Sequence, residues 1–170
     1  MAEGRKYDYP PLLAPGAHYL SLPEVKSLVV DRFSAGYQSA RLKLYQQLEE
    51  FIQLLLTNNI LGDLAIDGSF LTEKPNPNDV DVLLTYDFDI STSLSQIQND
   101  LIDQINTSYL FENVDSLAIV RYPRDHPLFG SAIDVATMSN HYGIENSEAW
   151  TKGYVVFRLW ETKIGCRIRS

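Results

Sequence analysis

Asp79 and Asp81 stand one residue apart at the start of the apolar run Val82-Leu83-Leu84. Side chains alternate across a strand, so Asp79, Asp81 and Leu83 share one face and Val80, Val82 and Leu84 the other. The valine and leucine face can be buried under helices, which leaves two carboxylates side by side on the opposite face. Each raises the cost of ionising the other. A divalent cation removes that cost, because paired hard oxygens suit magnesium, which usually takes substrate phosphates as further ligands. Upstream, Gly68-Ser69 follows the short apolar run Leu64-Ala65-Ile66. Glycine lets a phosphate approach the backbone, whose N–H groups can cradle it, and the serine hydroxyl adds a donor. Placed phosphates, a cation against developing charge and a placed nucleophile are most of what phosphoryl and nucleotidyl transfer require.

A third acid would complete such a site. In Ala132-Ile133-Asp134-Val135-Ala136 the two β-branched residues take one face, and Asp134 takes the other between two small alanines. Asp115 is the weaker candidate, since it falls where a turn is expected. Lys74 and Lys152 are the basic residues placed to meet a phosphate chain. His18, His126 and His141 have no metal-ligand spacing among themselves, and surface or hydrogen-bonding roles are expected for them. Trp150 and Trp160 are expected to pack rather than to stack on a base.

The elements that must position these residues are legible as patterns. Leu44, Leu48, Phe51, Ile52 and Leu55 recur at the three-and-four spacing of one helix face, which predicts a helix over 39–57, stopped by Asn58-Asn59 and Gly62. A shorter helix over 24–33 follows Leu22-Pro23. Strands are expected at 64–66, 80–85, 116–122, 132–137 and 153–159. Residues 72–78 contain Pro75 and Pro77 and form a loop. A second long helix is capped at Ser91, Thr92 or Ser93 and buries Leu94, Ile97, Leu101 and Ile105. Helices interspersed with strands in this order give an α+β domain, a sheet with helices packed on it. Residues 1–22, with Pro10, Pro11, Pro15 and Gly16, read as an extended N-terminal arm, and residues 23–170 as a single domain.

Composition sets the outer limits. The 170 residues are long enough for one well-filled core, and 45% apolar with 21% charged is ordinary for a globular chain. No apolar run has the ~18 residues of a membrane span, and the single Cys166 has no partner for a disulfide. A cytoplasmic location without membrane association is expected. The net charge of −8 argues against a surface that coats nucleic acid. From residue 151 to the end, five basic residues face the single Glu161, a local charge of +4 that leaves −12 for the rest. Such a tail can reach a substrate phosphate or its own acidic body.

At Gly68, Ser69, Asp79, Asp81 and Asp134 the sequence resembles the polymerase-β-like nucleotidyltransferase superfamily. More narrowly, it resembles a bacterial family of small, free-standing nucleotidyltransferase-like proteins. That likeness extends through Pro15-Gly16, His18, Ile66-Asp67-Gly68-Ser69-Phe70, Lys74, Pro77-Asn78-Asp79-Val80-Asp81, His126-Pro127, Asp134 and Lys152-Gly153. The resemblance implies a nucleotidyltransferase-like mixed sheet and two divalent metals, Mg2+ or Mn2+. It also implies transfer of a nucleoside monophosphate from ATP or another NTP to a hydroxyl on protein, RNA or a small molecule. On that reading Asp79 and Asp81 hold both metals, Asp134 holds one or acts as general base, and Gly68, Ser69 and Lys74 bind the nucleotide. The arginine-containing turn usual after Gly-Ser is replaced here by Phe70-Leu71-Thr72-Glu73-Lys74, which leaves the triphosphate to Lys74 or the backbone. The long helical second domain of many superfamily members is missing, so a protein partner or a homodimer would supply that surface. The alternative reading keeps the fold without catalysis, as an interaction module of a toxin–antitoxin or phage-defence pair.

Overall fold

The periodic stretch before the Gly-Ser bend forms helix α2, Ala35–Thr57, in a computed structural model that describes residues 9–107, 110–131, 152–161 and 164. Its buried stripe contains Leu44, Leu48, Phe51, Ile52 and Leu55, as the spacing requires. The helix begins earlier than expected because Ser34, in extended conformation, takes the N-cap position. It ends at Asn59, the only described non-glycine residue with positive φ (53°). The Asn59 N–H donates to the Leu56 carbonyl at 3.0 Å and the Ile60 N–H to that of Leu55 at 2.9 Å, the paired closure by which a left-handed residue ends a helix. Gly62 has a different use: a Cβ there would run into the Thr85 carbonyl, so its bare backbone lets the next two strands meet.

The remaining elements are β1 (Gly16–His18), α1 (Leu22–Lys26) continued by a π-helical turn (Ser27–Asp31), β2 (Asp63–Asp67), a 3-10 turn (Ser69–Leu71), β3 (Val80–Asp87), α3 (Phe88–Ser91), α4 (Gln96–Thr107), β4 (Val114–Arg121) and β5 (Gly153–Arg158). The described strands form one mixed sheet in the order β1-β5-β2-β3-β4. β2 is antiparallel to both β3 and β5, while β3–β4 and β1–β5 are parallel. Part of the extended N-terminal segment thus joins the sheet as β1, and Leu22 is fully buried. The expected strand 132–137 with Asp134 lies outside the described residues, as do His141, Trp150 and Cys166. Among the described residues no helix is long and apolar enough to cross a membrane.

Alternation sorts the sheet into two faces. Leu64, Ile66, Val80, Val82, Leu84, Val114, Ala118, Val155 and Phe157 join one hydrophobic core with the apolar sides of α2 and α4. The fold is therefore α+β, a mixed sheet with helices packed on it. The second face carries Asp67, Asp81 and Asp115 in one row and Asp63, Thr85 and Arg121 towards the other end. Leu83 and Val156, between these ends, are also buried.

Two expectations about α4 need correction. Its buried residues are Leu101, Ile102 and Ile105, while Ile97 is 70% exposed. The cap is Ser95 rather than a residue of 91–93: the Gln98 side chain accepts from the Ser95 N–H at 2.8 Å, and the Ser95 hydroxyl accepts from the Gln98 N–H at 3.4 Å. The earlier hydroxyls cannot cap α4 because Ser91 ends a separate short helix, α3, Thr92 and Ser93 follow it, and all three hydroxyls donate to its carbonyls. Ile97→Ala is expected to change stability by less than about 0.5 kcal/mol, as at an uncommitted surface position. Ile105→Ala is expected to cost about 2–4 kcal/mol through the cavity it leaves. Paired urea titrations check both, and equal costs would refute this assignment of the α4 face.

Candidate active site

Strand β2 ends in Asp67 and the chain turns at Gly68, with φ 81° and ψ −170°. That backbone region is essentially reserved for glycine. A Cβ on Gly68 would also collide with the carboxylate of Asp81, which stands on β3 opposite the preceding residue, Asp67. The bend and the acid pair are therefore built into each other: Gly68 has to be bare because the Asp81 side chain lies over it. Ser69 opens the 3-10 turn that follows.

Asp79 immediately precedes β3 and is half-buried. Its two neighbours are tied to one residue: the Val80 N–H donates to the Asn113 carbonyl at 2.9 Å, and the Asn113 side-chain amide donates to the Asn78 carbonyl at 3.1 Å. Asn113 is itself held from α2, its N–H donating to the Gln47 side chain at 3.0 Å. Asp79 is thus pinned between two fixed residues.

Register places Asp67 opposite Asp81 and Asp81 opposite Asp115. With strands about 5 Å apart, the three carboxylates form a row about 10 Å long on one face. Burial, then the charges of Asp79, Asp115 and Asp67, push Asp81 up to about 6, with Lys152 pulling the other way. Lys152 is nearly buried, and its ammonium lies 3.0 Å from the Asp67 carboxylate. It meets the acid row rather than an open surface. A buried pair of this kind holds both partners in place, because removing either leaves a charge away from water.

The loop after Ser69 has an internal anchor. Arg41 on α2 is fully buried, and burial, then the charge of Arg32, lowers it to about 10, so it stays a cation at neutral pH. Its guanidinium donates to the carbonyls of Val29 (3.0 Å), Phe70 (3.1 Å), Thr72 (2.8 Å) and Lys74. It stacks 3.6 Å above the Phe33 ring. The Lys74 N–H donates to the Thr72 hydroxyl at 3.2 Å, so the backbone at Lys74 is held on both sides.

The structure therefore brings Gly68, Ser69, Asp79 and Asp81 together and ties the Lys74 backbone to the same loop. Asp134, expected as third acid, lies outside the described residues. Asp115 belongs to β4 instead of a turn, because that strand starts at Val114, two residues before the expected position. Asp67 joins the site from β2, and its signal in the sequence is alternation, since Leu64 and Ile66 on the buried face put it on the face of Asp81. Arg41 also had a signal, since it falls three residues before Leu44 on the buried stripe of α2. Trp160, expected to pack, is half exposed. His18 accepts the hydrogen-bonding role expected of it, its ring Nε2 lying 2.7 Å from the Ala14 carbonyl. Among the described residues no three His, Cys, Asp or Glu side chains converge tightly enough to hold a metal by themselves. The described part of the site offers the Asp79–Asp81 pair, whose hard oxygens and crowded charge fit a divalent cation.

The fold and site define a class: an α+β domain whose mixed sheet carries a carboxylate row at one end, beside a glycine-serine bend. The chain belongs to the DUF6932 family, described as a family of unknown function, which matches residues 6–158. No curated protein and no solved structure matches the chain.

Proposed function

We propose that this protein is a metal-dependent nucleotidyltransferase that transfers a nucleoside monophosphate from an NTP to a hydroxyl acceptor. The observation that carries this reading is the interlock of Gly68 with Asp81: a bare bend suited to phosphate and a raised carboxylate occupy adjoining space. Asp79 and Asp81 would hold Mg2+ or Mn2+, and Asp134 is the proposed third ligand or general base. When bound, the cation neutralises charge on the phosphates and on the leaving pyrophosphate. Ser69 and the bend amides bind phosphate oxygens, and Lys74 contributes charge from the fixed loop. The acceptor hydroxyl, on protein, RNA or a small molecule, loses its proton to Asp134 in the general-base role.

Calorimetry with ATP, GTP, CTP and UTP in magnesium tests the reading. At least one triphosphate is expected to bind, and Asp79→Ala is expected to weaken it at least tenfold, since a ligating charge is removed from a partly desolvated site. No binding of any of the four, with Asp79→Ala indistinguishable from wild type, would rule the proposal out.

A second reading has one observation in its favour. Lys152 already places an ammonium against the acid row at Asp67, so part of the repulsion is relieved without metal. This suits a non-catalytic module, such as a toxin–antitoxin or phage-defence component, whose binding partner is a protein. It predicts a stable complex in a pull-down from the native host and no metal-dependent shift in melting temperature.

A further inference from the structure

Arg41 does more in the structure than fill space. Three of its four acceptors are the carbonyls of Phe70, Thr72 and Lys74, every second residue of the loop that leaves Gly68-Ser69. The residues between them bond to the N-terminal segment: the Leu71 carbonyl accepts from the Leu12 N–H at 2.9 Å, and the Glu73 N–H donates to the Pro10 carbonyl at 2.8 Å. The loop is thus gripped alternately from two sides. The planar fork of a guanidinium can serve several carbonyls at once in fixed geometry, which an ammonium on a flexible stem cannot. Among the described residues every hydrogen-bond acceptor of Arg41 is a neutral backbone carbonyl, although the group remains charged. A full positive charge with no carboxylate among those acceptors therefore lies against the carbonyl of Phe70, the residue after Ser69.

We propose that Arg41 is the positioning residue of the phosphate seat: by drawing the carbonyls of residues 70, 72 and 74 inward it turns carbonyl oxygens away from the bound anion, and its buried charge favours a triphosphate at Ser69. This rests on the reading of the Gly68-Ser69 bend as that seat. Arg41 touches no substrate; it acts through the loop.

The test uses Arg41→Lys, Arg41→Met and, as a milder change that keeps the cation, Phe33→Leu, which removes the ring under the guanidinium. Two quantities are read on the full chain well below its melting temperature. One is amide hydrogen exchange at residues 68–74 compared with residues 80–86 of β3, and the other is affinity for magnesium-ATP or whichever triphosphate the wild type binds. Exchange at 68–74 is expected to quicken at least tenfold with β3 unchanged. Affinity is expected to fall at least tenfold in Arg41→Met and by less in Arg41→Lys. Should Arg41→Met not fold, Phe33→Leu carries both readouts with smaller shifts in the same direction. Exchange that quickens equally in β3 and the loop, or a loosened loop with affinity within twofold of wild type, would overturn the proposal. A wild type that binds no triphosphate defeats the nucleotidyltransferase reading instead, and the exchange comparison alone then decides whether Arg41 organises the bend.

Discussion

Gly68→Ala is expected to destabilise the protein by about 2–6 kcal/mol and to abolish triphosphate binding. Two costs add. The backbone at φ 81° and ψ −170° lies in a region essentially closed to other residues, at about 1–3 kcal/mol. The new methyl would also occupy the space of the Asp81 carboxylate, and forcing atoms into a filled site costs about 1–3 kcal/mol more. The two parts separate in a double-mutant cycle. Asp81→Ala removes the carboxylate but leaves the backbone requirement, so Gly68→Ala is expected to cost about 1–3 kcal/mol less in that background. Urea titrations of the four proteins measure this coupling. Strictly additive costs would show that glycine and aspartate are not interlocked.

Asp81→Asn is expected to stabilise the metal-free protein at neutral pH while removing its response to magnesium. Asp81 titrates near 6 in the folded chain against an ordinary 3.8, so between about pH 4 and pH 6 the native state binds more protons than the unfolded one. Stability then falls as pH rises. The contribution is fully present below about pH 4, is lost as pH passes through 6, and does not change further above. A shift of this size corresponds to about 3 kcal/mol; because Asp81 is not wholly buried, about 1–2 kcal/mol is the expected gain on substitution. In chelator, the stability of wild type should decline across pH 4–6 while that of Asp81→Asn stays flatter. With magnesium at a hundredfold excess over its dissociation constant, wild type should recover about 2.7 kcal/mol and the variant none. Thermal melts with and without chelator report both effects, and a variant less stable than wild type at pH 7.5 in chelator contradicts this account of the acid row.

The fold was legible in sequence wherever one strong period governed. α2 shows its apolar stripe directly, β5 follows from Gly153-Tyr154-Val155-Val156-Phe157, and the alternation at Val80, Val82 and Leu84 gives both the buried face and the acid face of β3. What local pattern could not supply was which of two acceptable neighbours tertiary packing selects. Ile97 and Ile102 both suit an apolar face of α4, and the sheet takes Ile102. Serines at 91, 93 and 95 can all cap a helix, and the short α3 decides for Ser95 by occupying the others. Of the candidate site, the glycine-serine bend and the acid pair were visible, because strand alternation is a local rule. The neighbours contributed through register were not. Asp115 comes beside Asp81 through parallel pairing, and Lys152 reaches Asp67 across a separation of 85 residues in sequence. The reason for glycine at 68 likewise appears only when β2 and β3 are paired.

The order of strands in the sheet bears on how the protein is made. β5, the last described strand in the chain, lies inside the sheet between β1 and β2. Until residues 153–158 leave the ribosome, β2 has an open edge on the side away from β3, and β1 lacks the strand it pairs with among the described residues. Unpaired edges of this kind template intermolecular pairing, and closing so large a loop is slow. A nascent chain stalled before residue 153 should therefore be a substrate for chaperones, and Lys152 arrives at Asp67 only with the same final step that seals the sheet.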